Sequence, residues 1–152
     1  MNETTLRRAN PADDGVLIDF NREMARETED KELDQDLITA GVQTLLQNQS
    51  LGFYVVAEID EKIAGSLMIT TEWSDWRNGD FWWIQSVYVK PEYRRRGIYR
   101  SLYEYIKKSA DQDQNVCGFR LYVERDNSAA QRTYQSLGMH KTTYRLFEEL
   151  KT

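Results

Sequence analysis

The stretch Ile84 to Lys107, IQSVYVKPEYRRRGIYRSLYEYIK, constrains this chain more than any other. From Ile84 to Val89, apolar positions alternate among β-branched and aromatic residues, which predicts a strand. Pro91 ends it, because proline has no N–H for a ladder and holds the residue before it extended. Beyond Gly97 the apolar residues Ile98, Leu102, Tyr105 and Ile106 fall at helical spacing. The stretch is therefore a strand, a basic loop and a helix, with Arg94, Arg95 and Arg96 at the helix entrance. A helix start carries partial positive charge and unpaired N–H groups, so acidic residues are usual there. Three arginines are explained if an anion belongs at that point, held by backbone N–H groups with cationic help. The loop reads as a phosphate cradle.

The totals narrow the class. A chain of 152 residues, 40% hydrophobic and 30% charged, is expected to form one globular domain, residues 1–152. No run approaches the ~20 apolar residues of a membrane span. MNETTLRRAN lacks the apolar core of a secretory signal, so cytoplasmic residence is the expectation. Cys117 is the one cysteine, which excludes an internal disulfide, and it reads as a small buried residue. The lone His140 leaves no histidine-based metal cluster or triad, so no metal is expected. A formal net charge of -5 argues against nucleic-acid binding, and no Gly-x-x-x-x-Gly-Lys loop suggests a nucleotide kinase. The charge does suit a cationic substrate.

Taken in order, Thr4 to Ala9 reads as a first strand. Asn10 and Pro11 open a helix that Asn10 or Asp13 can cap, with Val16, Leu17, Phe20 and Met24 inward. The charge run ARETEDKELDQ reads as an exposed turn before a second helix with Leu33, Leu37, Ile38 and Leu45 inward. Phe53 to Ile59 and Lys62 to Thr71 form a hairpin, with Gly65 marking a bulge or a close approach. Glu72 to Gly79 is a connection, and its Asn78-Gly79 turn leads into FWWIQSVYV. After the helix that follows Gly97, Val116 to Val123 is a strand. Asp126 or Asn127 caps a helix carrying Ala130, Tyr134 and Leu137, stopped at Gly138. His140 to Leu150 reads as a last strand. The order β-α-α-β-β-β-α-β-α-β is a mixed α/β fold: an antiparallel meander feeding a helical crossover to a parallel strand.

Arg94 to Ile98 matches Arg-x-x-Gly-x, and this segment resembles the acyl-coenzyme A signature of the GNAT-type N-acetyltransferases, Gln/Arg-x-x-Gly-x-Gly/Ala. Tyr99 stands where that pattern has a small residue, so its ring must turn outward or shift the loop. ERDNSAAQRTYQSLGM is similar to the family's second signature, with Asn127, Ala130 and Tyr134 on one helix face. The order of elements also follows the GNAT fold over nearly the whole chain. The family commonly ends with two strands and one is evident here, an edge that a second copy of the chain could complete as a homodimer.

The resemblance implies acetyl-CoA as co-substrate. Val87, Tyr88 and Val89 would bond its pantetheine arm and thioester carbonyl. Backbone N–H groups from Arg95, Arg96, Gly97, Ile98, Tyr99 and Arg100 would hold the diphosphate, with the arginine side chains, Arg94 included, adding charge. Asn127 would touch the cofactor from the other side, and Tyr134 would protonate the departing thiolate, a role that suits a phenol of pKa ~10. The acceptor would be a primary amine: a small amine, a polyamine or a lysine-like group. Where many relatives place a glutamate base, this chain has Gln85 and Ser86, so Glu72 and Asp75 become the base candidates. Glu27, Glu29, Trp73, Trp76, Gln85 and Trp82 or Trp83 would border the acceptor, since carboxylates beside indoles suit a cation. A non-catalytic acyl-CoA-binding or sensing module is the alternative, and it would have no use for Tyr134.

Overall fold

The computed structural model describes residues 3–152. Its elements are β1 (Thr4–Arg8), a 3-10 turn at Pro11–Asp13, α1 (Asp14–Glu29), α2 (Gln35–Gln47), β2 (Gly52–Ile59), β3 (Lys62–Ser74) and β4 (Gly79–Val89). A second 3-10 turn at Pro91–Tyr93, α3 (Ile98–Asp111), β5 (Val116–Arg120) and α4 (Ser128–Ser136) follow. The chain groups into two compact units, one ending at Leu121 and one running from Tyr122 to Thr152. No helix among the described residues is long and apolar enough to cross a membrane.

The first unit holds one five-stranded sheet in the order β1-β2-β3-β4-β5, antiparallel except for the last pair, in which β5 runs parallel to β4. Side chains alternate between faces along each strand, which sorts the core into two layers. Tyr54, Val56 and Met68 point to one face, where they pack with Leu17 and Ile18 of α1 and Val42 and Leu45 of α2. Leu67 and Ile69 point to the other. A Cβ added at Gly65, which shares that alternation, would meet Ile98 Cγ2 of α3 at 3.2 Å, so α3 covers the second face. An aromatic cluster of Phe53, Trp82, Phe119 and Tyr103 extends that layer.

Several boundaries differ from those expected. The charged run does not end α1, which continues to Glu29. Ala25 is buried within it, and Arg26 satisfies Glu23 and Glu32 on the solvent side. Val16 is exposed while Leu17, Ile18 and Phe20 face inward. In α2 the buried stripe is Ile38, Val42 and Leu45, at steps of four and three, which leaves Leu37 73% exposed. β3 runs on to Ser74, so Glu72 and Trp73 are strand residues rather than part of a connection. Gly65 does mark both a bulge, with Ala64 extra between Ala57↔Gly65 and Glu58↔Ile63, and a close approach to Tyr88 O. β5 stops at Arg120 instead of Val123. The expected last strand, His140 to Leu150, is absent: residues 139–152 form no regular element, and Tyr144, Leu146, Phe147 and Leu150 are exposed. Alternation alone makes no strand, because the backbone groups need a ladder partner.

Asn10 and Asp13 both cap, by reciprocal bonds. Asn10 Oδ1 accepts from Ala12 N at 3.0 Å, and Asp13 Oδ2 accepts from Asn10 N at 2.8 Å. Asp13 also holds Arg7 through both carboxylate oxygens, and Arg7 reaches Glu58 on β2 as well. The Arg7 hydrogen bonds pull the buried Asp13 carboxyl below its ordinary pKa, against the opposing effect of burial. A group whose folded pKa is depressed contributes its full stability above its unfolded value of ~3.9 and loses it as pH falls through the folded value. The urea midpoint of the native chain should therefore drop as pH falls from 5 towards 2. In Asp13→Asn that drop should be shallower and the midpoint at pH 7 lower, by about 2 kcal/mol for a partly buried pair left unmatched.

Candidate active site

β4 is covered unequally along its two edges. β3 pairs with it from Gly79 to Val89, but β5 pairs only at Asp80, Phe81, Trp82 and Trp83. Beyond Trp83 no strand of the sheet lies against that edge. A bare edge presents N–H and C=O groups in a row, a template for another extended amide-bearing chain. The same segment is bulged. Between Met68↔Gln85 and Ser66↔Tyr88, two β4 residues, Ser86 and Val87, stand opposite Leu67 alone, and Ser86 takes φ +51°. The bulge turns Tyr88 towards α1, where its ring lies 5.0 Å from that of Phe20. Its hydroxyl donates to Glu27 Oε1 at 3.2 Å, and burial followed by the Glu27 charge raises the phenol pKa.

The basic loop joins this edge to α3. Arg95 and Gly97 have φ of +64° and +76°, and glycine at the second position adopts that conformation without a Cβ penalty. Gly97 is the N-cap of α3 and no side chain caps the helix, so its first-turn N–H groups face the loop. Arg94 does not point at them. Its Nε donates to Val89 O at 2.8 Å and its guanidinium pairs with Glu27 at 2.8 Å, tying strand end, loop and α1 together. The arginines left for an anion are Arg95, Arg96 and Arg100, all exposed, with Arg96 resting over the Tyr93 ring. The ring of Tyr99 is half-buried and runs along α3 to Tyr103, 6.3 Å between centroids, so it clears the helix mouth with Gly97 still in place.

Farther back along β4, the face shared with α1 and α2 carries Gln85, Trp83, Thr70 and Glu72. Gln85 donates to Thr70 Oγ1 at 2.6 Å. Glu72 Oε1 accepts from Trp83 Nε1 at 2.8 Å and from Arg120 at 3.0 Å. These bonds, Trp83 first, lower the Glu72 pKa. Arg120 also lies 3.6 Å from the Phe81 ring centre. Sequence reasoning passed over Arg120, because nothing in VCGFRLYV shows that its fifth residue will stand beside Trp83. The acidic acceptor residues are not one cluster. Glu72 pairs across from Phe81 and Glu27 bonds Tyr88, seven residues away on the same strand, or roughly 23 Å at strand rise. Glu29, Trp73, Asp75 and Trp76 are exposed, the last three at the β3–β4 turn.

In the second unit, Asn127 caps α4 by accepting from Ala130 N at 3.1 Å. Gln131 secures the preceding turn by donating to Glu124 O and Arg125 O. Tyr134 lies two turns into the helix, half-buried, and burial raises its phenol pKa.

A bare, bulged strand edge leading to an uncapped helix mouth ringed by arginines matches the parts of a nucleotide thioester. An extended arm with two amides suits the edge, and a diphosphate suits the mouth. Comparison with known proteins agrees. No protein of curated function matches the chain in sequence. The crystal structure of a possible acetyltransferase from Clostridium difficile 630 is 46% identical over 98% of each chain, with a TM-score of 0.92. An acetyltransferase from Clostridium acetobutylicum solved with acetyl-CoA is 20% identical, covers 97% of this chain and 96% of its own, and has a TM-score of 0.80. An aminoglycoside N-acetyltransferase solved with CoA is 15% identical over 100% and 97%, with a TM-score of 0.76. The last two speak to the fold. The model of the acetyltransferase (GNAT) family matches residues 17–139, and the chain belongs to that family, whose acetyl donor is acetyl-CoA.

Proposed function

We propose that this enzyme transfers the acetyl group of acetyl-CoA to a primary amine by direct attack on the thioester, with Tyr134 as general acid. The amine nitrogen bonds the acetyl carbon, the carbon–sulfur bond breaks, and the phenol gives its proton to the departing thiolate. The bare edge of β4 from Gln85 to Val89, running into the Gly97 helix mouth, supports this reading most. It would hold the thioester carbonyl at the bulge and leave the α1 and α2 face, with Trp83 and Gln85, to the amine. Asn127 would meet the cofactor from α4, and burial keeps Tyr134 protonated at neutral pH, as an acid must be.

The acceptor class is a small amine, a polyamine or a lysine-like group. Glu29 and Asp75 would draw it in as exposed acids, and the Trp73 and Trp83 rings suit its cationic form. Glu72 fits a strut better than a base. Its carboxylate is committed to Trp83 and Arg120, and its lowered pKa makes it a weak proton acceptor. The amine would lose its proton to Asp75 or to water. In Glu72→Gln the rise of kcat/KM with pH should keep its shape, because the amine's own pKa of ~10 sets that limb. A limb that shifts in Glu72→Gln would return the base role to Glu72.

Release of free thiol from acetyl-CoA across a panel of amines tests the whole reading. The expected result is turnover with a subset of primary amines and none with alcohols. Acetyl-CoA binding without thiol release on any amine would mark a sensing module. Amidation of Glu27, Glu29, Glu72 and Asp75 together should raise the amine KM while leaving that for acetyl-CoA unchanged.

A further inference from the structure

We propose that residues 140–150 are an exchanged strand, docked on the outer edge of β5 in a second copy of this chain. The segment HKTTYRLFEEL has strand composition and apolar residues on both alternations, Tyr144, Leu146 and Leu150 on one and Phe147 on the other. All four are exposed, at 76%, 67%, 76% and 91%. On side chains of this size that is on the order of 600 Å² of apolar surface from one short segment. Chains that stay monomeric rarely leave so much apolar surface on eleven residues.

The receiving edge is equally incomplete. β5 closes the sheet order and is paired on its β4 side only. Apolar groups border it on both faces: Phe119, in contact with Trp82 and Tyr103, on the α3 side, and Phe81 under Arg120 on the other. A strand laid there would need apolar side chains on both of its faces, which is what the two alternations of this segment supply. A two-fold exchange would cover about 1,200 Å² from the two segments alone, before counting the edges they dock on. That reaches the range of about 1,200–2,000 Å² expected of a stable pair. The argument is independent of the reaction, so the dimer and the acetyl transfer can fail separately.

Sedimentation of the full chain should give twice 17.9 kDa. Cross-linking then identifies the neighbour, because Cys117, exposed on β5, is the chain's one cysteine. Thr142→Cys, Thr143→Cys, Arg145→Cys and Glu148→Cys sample both alternations of the segment at non-apolar positions. Mild oxidation should give a covalent dimer in at least one of the four, lost on reduction and lost in a Cys117→Ser background. A native mass of 17.9 kDa overturns the proposal. So does a disulfide formed within one chain, a cross-linked dimer that survives Cys117→Ser, or no cross-link in any of the four.

Discussion

Tyr134→Phe should lower kcat by about 10²–10⁴-fold while leaving the KM for acetyl-CoA within a few-fold. The change removes one oxygen from a half-buried helix position and keeps the ring, so the packing of α4 has little to lose. What goes is the one proton the phenol could give to a thiolate. Burial raises the Tyr134 pKa, so the native side chain remains a donor across the neutral range. For native protein kcat should therefore fall only on the alkaline side, as the phenol ionises above its ordinary value of ~10. In Tyr134→Phe that alkaline limb should vanish along with most of the rate. Steady-state kinetics with acetyl-CoA and a turned-over amine, at intervals from pH 6 to 11, would show both. If kcat stays within threefold of native, Tyr134 is a packing residue and the acid lies elsewhere.

Gly65→Val should damage stability and activity together. A Cβ at that position would meet the Tyr88 carbonyl oxygen at 2.9 Å, and Ile98 Cγ2 and Val89 Cγ2 at 3.2 and 3.3 Å. The first of these is backbone and cannot swing aside. Overpacking of this kind costs about 1–3 kcal/mol, which thermal unfolding would record as a Tm lower by several degrees. The displaced atoms are the end of β4 and the first residue of α3, the two ends of the proposed acetyl-CoA grip. A shift of ~1 Å there should cost about 100-fold in kcat/KM for acetyl-CoA. Leu67→Ala, buried on the same β3 face but not in contact with the loop, is the control. It should lose stability to at least the same extent while keeping most of its kcat/KM at temperatures where it remains folded. Equal activity losses in the two variants would show that the damage at Gly65 is general unfolding rather than a displaced grip.

What was legible in the sequence was local. The strand, loop and helix from Ile84 to Lys107 could be read because their signals act on neighbours. Alternation, proline, glycine at a positive φ and apolar residues every three or four positions all operate within a turn or a strand step. The caps at Asn10 and Asn127 and the bulge at Gly65 belong to the same class. Even so, boundaries moved where a distant partner took over. Arg26 and the buried Ala25 carried α1 through a run of charges, and pairing with β4 carried β3 on to Ser74.

The site was legible only in part. The loop announced itself, but Arg94 turned from anion ligand into a tether to Glu27, a residue 67 positions away. Glu72 passed from base candidate to the partner of Trp83 and Arg120, the latter 48 positions away. Neither change leaves a trace in local spacing, since which charges meet depends on sheet order and register. By itself, then, the sequence determined where helices begin, where chains turn and where an anion is welcome, because short-range backbone sterics and unpaired N–H groups decide those. Only the tertiary structure decided which carboxylates are committed, which strand edge stays bare and that residues 139–152 form no ladder in their own chain, because those depend on what long-range pairing brings alongside.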